Sequence, residues 1–500
     1  MKGVLMPKFS LESLPEAFVS NTAMNKSVAA ALAQGRVRRL GTRLYTKNLT
    51  DAPEAIVLRN WYYLLPAYFP DALIADRTAL ENKPAADGSV FIVSSKKRDI
   101  ELPGLTFRPR KGASALDTDL SFAGGARLSS TARAFLENMR PSRSRDGAVP
   151  RTLPKAEIEE RLDGIIRRGG ETEINKLRDD ACTIAAQIGL EEECKKLDEL
   201  IGALLGTRES EAASPQAKAR IARKPYDPQR LKVFEALFAA LRSTAPIHRP
   251  VRKMIPKENA NLSFFEAYFS NFIEGTEFEI EEAVDVVFKG AIPNDRPQDA
   301  HDILGTYRVV SDLRDMAKIP KKPDELIKIL QRRHYAFMEQ RPEKLPGQFK
   351  AKGNRAGSSF FVEPELVIGT LEKGFEFYAA LETPFSRAVF MMFLISEVHP
   401  FADGNGRAAR IMMNAELVAG GEQKIIIPII YRNNYLTALK ALTHSSTPAP
   451  LIRTLDFAQR YTSAIDWRDF DTARKMLDDT HAFMDSTEAE SQGVRLVLPS

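Results

Sequence analysis

The sequence predicts an α+β N-terminal region followed by an all-α core that carries one short β-prone interruption. Strand-like and helix-like pieces alternate over residues 1–150. From Gln229 to about residue 466, apolar positions recur at the three-to-four spacing of amphipathic helices. That period lapses only at 343–365, a Gly-bearing stretch with β-prone residues.

A chain of 500 residues is too long for one compact core. With 44% hydrophobic and 27% charged residues, it has the composition of an ordinary globular protein. A net charge of +5 on this length does not itself imply nucleic acid or an anionic membrane. Cys182 and Cys194 stand 12 apart in a helical-looking stretch and are read as two thiols in a reducing compartment, not as a disulfide framework or a zinc site. The N-terminus lacks a continuous apolar run, and the most apolar stretch, Ala388–Ile395, is far short of a membrane span. The expectation is a cytoplasmic protein with no membrane partner.

Within 1–150, RVRRLGTRLYT and VFIVSS read as strands, and basic clusters recur at 36–39, 96–98, 108–111 and 140–145. ALAQGRVRRLGTRLYTKN reads as a helix followed by two basic strands, the order found in a winged helix. A helical subdomain is expected over 151–205, where Ile158, Leu162, Ile165 and Ile166 share one face. Residues 206–228 lose the apolar period and read as a linker. The helical core follows at 229–466, then a C-terminal helix and tail at 467–500.

The chemistry concentrates between two helices of that core. Pro384–Val398 is nearly all apolar, as a helix buried inside a bundle would be, and it stops at His399-Pro400. A second helix is expected from Gly406 to Ala419, closed by Gly420-Gly421. Gly404 and Gly406 let the connecting backbone approach a ligand closely. The unpaired N–H groups opening the second helix form an anion site. Arg407 and Arg410, three apart on one face, suit a polyphosphate. Asp403 can hold Mg²⁺ together with substrate phosphates, and Asn405 can donate to a phosphate oxygen. His399 can take a proton from an incoming hydroxyl.

The run HPFADGNGRAAR, residues 399–410, is similar at every specified position to the Fic family signature HxFx[D/E]GNGRxxR. The resemblance implies a protein adenylyltransferase that moves AMP from ATP to a Tyr, Thr or Ser hydroxyl of a target protein. It implies His399 as general base, Phe401 as core anchor and Asp403 as Mg²⁺ ligand. Gly404, Asn405, Gly406, Arg407 and Arg410 would then bind the phosphates. LPGQFK and FFVEP, between 345 and 364, resemble the family's target-docking flap, here Phe349, Lys350, Phe360, Phe361 and Val362. Lys350 stands where the family commonly has Arg. IIIPIIYRNNYLTALKAL resembles the segment that closes the family's core; Tyr431 and Tyr435 either line the adenine side or pack in the interior.

Upstream, 261–282 reads NLSFFEAYFSNFIEGTEFEIEE. Ser263 with Glu266 predicts a helix start, Ser270 and Glu274 share a face, and Gly275 ends the helix. SNFIEG is similar to the family's inhibitory motif [S/T]xxxE[G/N]. The resemblance implies that Glu274 occupies Arg410 and holds the enzyme off. Three alternatives stay open: another donor (UTP, GTP or CDP-choline), AMP removal, or a DNA-binding regulator whose core senses nucleotide. LENMRPSRSRDGAVPRTL and NKLRDDACTIAAQIGL resemble antitoxin-like regulators of abortive-infection systems, which pair a winged-helix DNA reader with a second domain. The basic strands then either contact DNA phosphates or are solvated charge on a target-recruiting domain.

Overall fold

The computed structural model describes residues 13–144, 147–209, 211–251, 255–357 and 359–499; the N-terminal dozen residues, read above for a signal, and Arg145 lie outside these. The chain divides into two compact units, Met1–Arg223 and Lys224–Ser500.

The first unit is α+β, as its mixed periodicities predict. Its elements are β1 (Ala17–Val19), α1 (Asn25–Ala33), β2 (Arg38–Gly41), β3 (Leu44–Thr46), α2 (Pro53–Tyr68), β4 (Leu73–Ile74), α3 (Asp76–Glu81), β5 (Ser89–Val93), β6 (Ile100–Leu102), β7 (Leu105–Arg110), β8 (Leu120–Ser121), β9 (Arg127–Leu128), α4 (Thr131–Asn138), α5 (Lys155–Ile188), α6 (Glu191–Leu204) and α7 (Pro215–Ile221). A small antiparallel sheet has the order β1-β3-β2, so α1 is followed by a basic hairpin, as the sequence suggests. A mixed sheet has the order β6-β7-β5-β4-β9-β8, with β5 parallel to β7. All five residues of β5 are buried, which is why it reads as a continuous apolar run. Ile56, Trp61 and Leu64 of α2 pack with Val90, Ile92 and Phe107 of that sheet.

A second core of this unit gathers Leu162 and Ile166 of α5 with Leu197 and Ile201 of α6. Two expectations are corrected here. Gly189, at φ +68°, turns α5 back into α6 and places Cys182 and Cys194 with their Cα atoms 5.7 Å apart, joined as a disulfide. The helical hairpin pairs what sequence spacing alone left as separate thiols. The expected linker at 206–228 also contains α7, whose Ala217 is fully buried in this core. The buried Glu159 carboxylate holds its entry by accepting the Ala213 and Ser214 N–H groups, at 2.9 and 2.6 Å.

The second unit is helical apart from the flap. It comprises α8 (Pro228–Ser243), α9 (Pro256–Ile273), α10 (Ile280–Lys289), α11 (Pro297–Ser311), α12 (Leu313–Met316), α13 (Pro323–Met338), β10 (Arg355–Ala356), β11 (Ser359–Phe360), α14 (Val367–Ala379), α15 (Pro384–Val398), α16 (Asn405–Ala419), α17 (Arg432–Ser445), α18 (Ala449–Ala464), α19 (Phe470–Asp479) and α20 (Ser486–Gln492). α15 is buried on nearly every side, with Phe390 and Phe393 each 6.1 Å from Phe234 of α8. β10 and β11 pair antiparallel, Arg355 opposite Phe360, which gives the hairpin expected in the 343–365 break.

The start of α9 is a further correction. The helix begins at Pro256, a residue suited to the first turn, and not at Ser263. Glu258 Oε2 accepts the Ile255 N–H at 3.1 Å. Glu266 faces inward instead of capping: it pairs with Lys424 at 2.8 Å and accepts the Asn414 amide at 2.8 Å. The aromatic residues of α9 pack against the C-terminal helices, with Phe265 5.2 Å from Phe470 and Phe269 5.3 Å from Phe483. No helix among the described residues is long and apolar enough to cross a membrane.

Candidate active site

α15 ends where His399 takes a left-handed conformation, φ +52°, while its N–H still bonds Ile395 O at 2.9 Å. The sharp exit turns its side chain beside the loop. His399 Nδ1 lies 3.2 Å from the Ser396 carbonyl oxygen. A carbonyl only accepts, so Nδ1 carries the proton and Nε2 keeps its lone pair. Burial lowers the His399 pKa to about 4, and the positive charge of Lys350 acts in the same direction. The imidazole is therefore neutral at physiological pH, the form a base requires. Phe361 covers one face of the ring, with centroids 3.7 Å apart and planes within 7°.

The loop is held by its own side chains. Phe401 is fully buried. Asn405 Oδ1 accepts the Phe401 N–H at 2.8 Å and its Nδ2 donates to Phe401 O at 2.9 Å. The expected reach of this amide to a phosphate is corrected: both ends are spent on Phe401, leaving its backbone N–H at the helix start. Gly404, φ +74°, precedes α16, and its N–H bonds Asp403 Oδ1 at 2.6 Å. The other Asp403 oxygen is 3.7 Å from Lys344 on a carboxylate that is 43% exposed. Among the described residues no group of three His, Cys, Asp or Glu converges to hold a metal by itself. One accessible carboxylate beside a phosphate cradle is a fit for Mg²⁺, which binds through one or two carboxylates plus substrate phosphates.

The two arginines are buried and differently occupied. Arg407 Nη1 lies 2.9 Å from Asp302 Oδ2 and 3.2 Å from Asn271 Oδ1, while its buried Nε has no hydrogen-bond partner among the described residues. Arg410 donates from Nε to Ser270 Oγ at 3.0 Å, and from Nη2 to Ser270 O at 2.8 Å and Glu274 Oε1 at 2.7 Å. Gly275, φ +92°, follows directly as α9 ends. Ser270, Glu274 and Arg410 thus meet in one place, over Gly406. A Cβ at Gly406 would lie 2.1 Å from Glu274 Oε1.

The flap residues divide in two. Phe349 packs 5.4 Å from Phe401, Lys350 and Val362 are buried, and Phe361 lies on His399. Phe360 alone is open to solvent, at 65%. Lys350 precedes the hairpin; its N–H bonds Pro400 O at 2.9 Å and its Nζ donates to Asn354 Oδ1 at 2.6 Å. Burial lowers the Lys350 pKa to about 8. Tyr435 is 1% exposed, with its hydroxyl 3.4 Å from the Met392 sulfur and its side chain hydrogen-bonded to Arg410. Tyr431 packs against Phe457, with centroids 5.3 Å apart and planes tilted by 41°.

Sequence reasoning missed Asp302, Asn271, Asn354 and His334. His334 had a legible signal, a histidine on the apolar face of Leu330, Phe337 and Met338. The others are single polar residues whose partners are distant in sequence.

The Fic/DOC family model matches residues 323–417, which span α13, the flap, α15 and the signature loop. A curated relative from Drosophila willistoni, "Protein adenylyltransferase Fic", is 29% identical over 123 residues, 24% of each chain. Its Drosophila yakuba counterpart is 37% identical over 70 residues, 14% of each chain. The chain thus spans about a quarter or less of the length of these two relatives. Among solved structures, Fic-1 from C. elegans superimposes with a TM-score of 0.35 at 19% identity, covering 64% of this chain and 97% of that one. The signature is thus complete, and the stretch 323–417 that frames it is what matches the Fic/DOC family.

Proposed function

We propose that the protein is an adenylyltransferase held off by its own α9, moving AMP from ATP to a hydroxyl of a target protein. The observation that carries this reading is the grip of Ser270 and Glu274 on Arg410 of α16, beside a loop whose proposed base, His399, is neutral with its proton on Nδ1. The target oxygen attacks the α-phosphorus, its proton passes to His399 Nε2, and the bond to the β-phosphate breaks to release pyrophosphate. Backbone N–H groups at the start of α16 and the two arginines supply the positive field for the phosphates. Asp403, with phosphate oxygens, would hold Mg²⁺, which neutralises their charge. While Glu274 occupies Arg410, the γ-phosphate has no clamp and meets a carboxylate.

Intact-mass measurement of Glu274→Gly protein with Mg-ATP tests the reading, beside the same variant carrying His399→Ala. Gain of one or more AMP units, lost with His399→Ala, is the expected result. Equal labelling of wild type and Glu274→Gly would remove the brake. A nucleotide adduct from UTP, GTP or CDP-choline but not ATP would change the donor. Loss of AMP from a modified protein would make the activity a removal.

A second reading assigns the first unit to DNA. It is supported by the β2–β3 hairpin after α1, where Arg39 and Arg43 on the hairpin and Arg36 just before it are exposed. Gel-shift binding that weakens steeply with salt is the expected outcome, and no binding at low salt removes it.

A further inference from the structure

His334 stands on α13, 65 residues before the base, and its side chain is fully buried. Its ring lies flat on Phe401, with centroids 3.6 Å apart and planes within 6°. Nδ1 receives the Gly347 N–H at 2.9 Å, and Nε2 is 3.0 Å from the Asp403 carbonyl oxygen. A backbone N–H only donates and a carbonyl only accepts. The ring is therefore the neutral Nε2–H tautomer, with both nitrogens in use.

These two partners belong to different parts of the site. Gly347 opens the segment that leads through Lys350 to the flap. Asp403 is the carboxylate that faces the phosphate cradle. Its Oδ1 is already taken by the Gly404 N–H at 2.6 Å. With the carbonyl held by His334, the backbone on which the carboxylate turns is fixed and Oδ2 is left in one direction. A Cβ at Gly404 would come within 3.3 Å of His334 Nε2 and 3.0 Å of Phe337, so the contact also needs the glycine beside it.

We propose that His334 is a positioning residue for the transfer. It ties the entry of the flap to the backbone of Asp403 and so presets the carboxylate for magnesium-bound nucleotide. The inference rests on the reading of this loop as a nucleotide site. Outer hydrogen bonds of this kind orient a ligand without touching the ion.

Two substitutions separate the two halves of the bridge. An Asn amide sits near the place of Nδ1, and a Gln amide near the place of Nε2. Both lose the stacked ring, so the damage they share cancels between them. ATP binding is measured by calorimetry with and without Mg²⁺, in protein carrying Glu274→Gly and His399→Ala. With His334→Asn, the gain in ATP affinity brought by Mg²⁺ is expected to fall about 10–100-fold; with His334→Gln it should stay within roughly threefold of the parent. Equal losses in both variants, or losses that are the same with and without Mg²⁺, overturn the proposal. A parent protein that binds no ATP overturns the nucleotide reading itself, and this inference with it.

The protein with His334 intact gives an independent reading by ¹⁵N-histidine spectroscopy. A neutral Nε2–H signal that shifts when Mg²⁺ joins ATP is expected. An Nδ1–H tautomer, or a signal that ignores Mg²⁺, overturns the proposal even if both variants fail to fold.

Discussion

Phe361 lies flat against His399, ring to ring at 3.7 Å, and so shields the imidazole from water. Burial is the main reason the His399 pKa falls to about 4. Phe361→Ala should let water reach the imidazole and raise its pKa toward the ordinary value of about 6.5. In brake-released protein, the acid limb of the pH–rate profile should move up by about one unit or more. Histidine NMR titration checks the same shift directly; an unmoved pKa would mean that the loop, not Phe361, dries the ring.

Glu274→Gly should strengthen ATP binding at least about tenfold, because it removes both the competitor for Arg410 and a carboxylate from the γ-phosphate side. Saturating Mg-ATP should then raise the melting temperature of the variant more than that of the wild type, since a ligand that binds only the native state stabilises it by mass action. Adding Arg410→Ala should cancel that difference.

The two buried histidines make stability depend on pH. His334 and His399 are each lowered to about 4 in the folded protein, by burial first. Unfolded, they titrate near 6.5, so between about pH 6.5 and 4 the unfolded chain binds more protons than the native one. Their contribution is whole above pH 6.5 and is lost as the pH falls toward 4, at most roughly 3 kcal/mol for each. Urea midpoints measured from pH 7.5 to 4.5 should fall accordingly, and less steeply for His334→Gln.

Asn405→Ala should unsettle the loop without touching a phosphate. It removes two hydrogen bonds to Phe401 and leaves a buried N–H unpaired, a cost of about 1–3 kcal/mol. Thermal melts and ATP titration together test this: the melting point should drop, and ATP affinity should fall with it.

The helical frame of the site is legible because local signals mark its ends. Pro384 opens α15, His399-Pro400 stops it, and Gly420-Gly421 follows α16. The Ser270–Glu274 spacing likewise needs only one helical turn. The partners of Arg407 could not be read this way. Asp302 and Asn271 reach it from α11 and α9, and nothing in their own neighbourhoods marks them. The start of α9 is hidden because Ser263 and Glu266 imitate a cap within the helix, while tertiary contacts with Lys424 and Asn414 claim Glu266. In the first unit, strands of two residues such as β4 and β9 exist only through their neighbours in the sheet, which no local period announces. The pairing of Cys182 with Cys194 likewise depends on the reversal at Gly189.

Gly406 has two demands on it. Under the proposed function phosphate would come close to its backbone, and Glu274 Oε1 already lies so close that a methyl group would collide with it. The missing side chain would therefore serve the proposed lock as much as the proposed chemistry. A descendant that lost its base but kept its lock would be under the same constraint at this position. Under the proposed function, glycine here would be a poor witness to catalysis, and the presence of His399 would separate a working enzyme from a silent one.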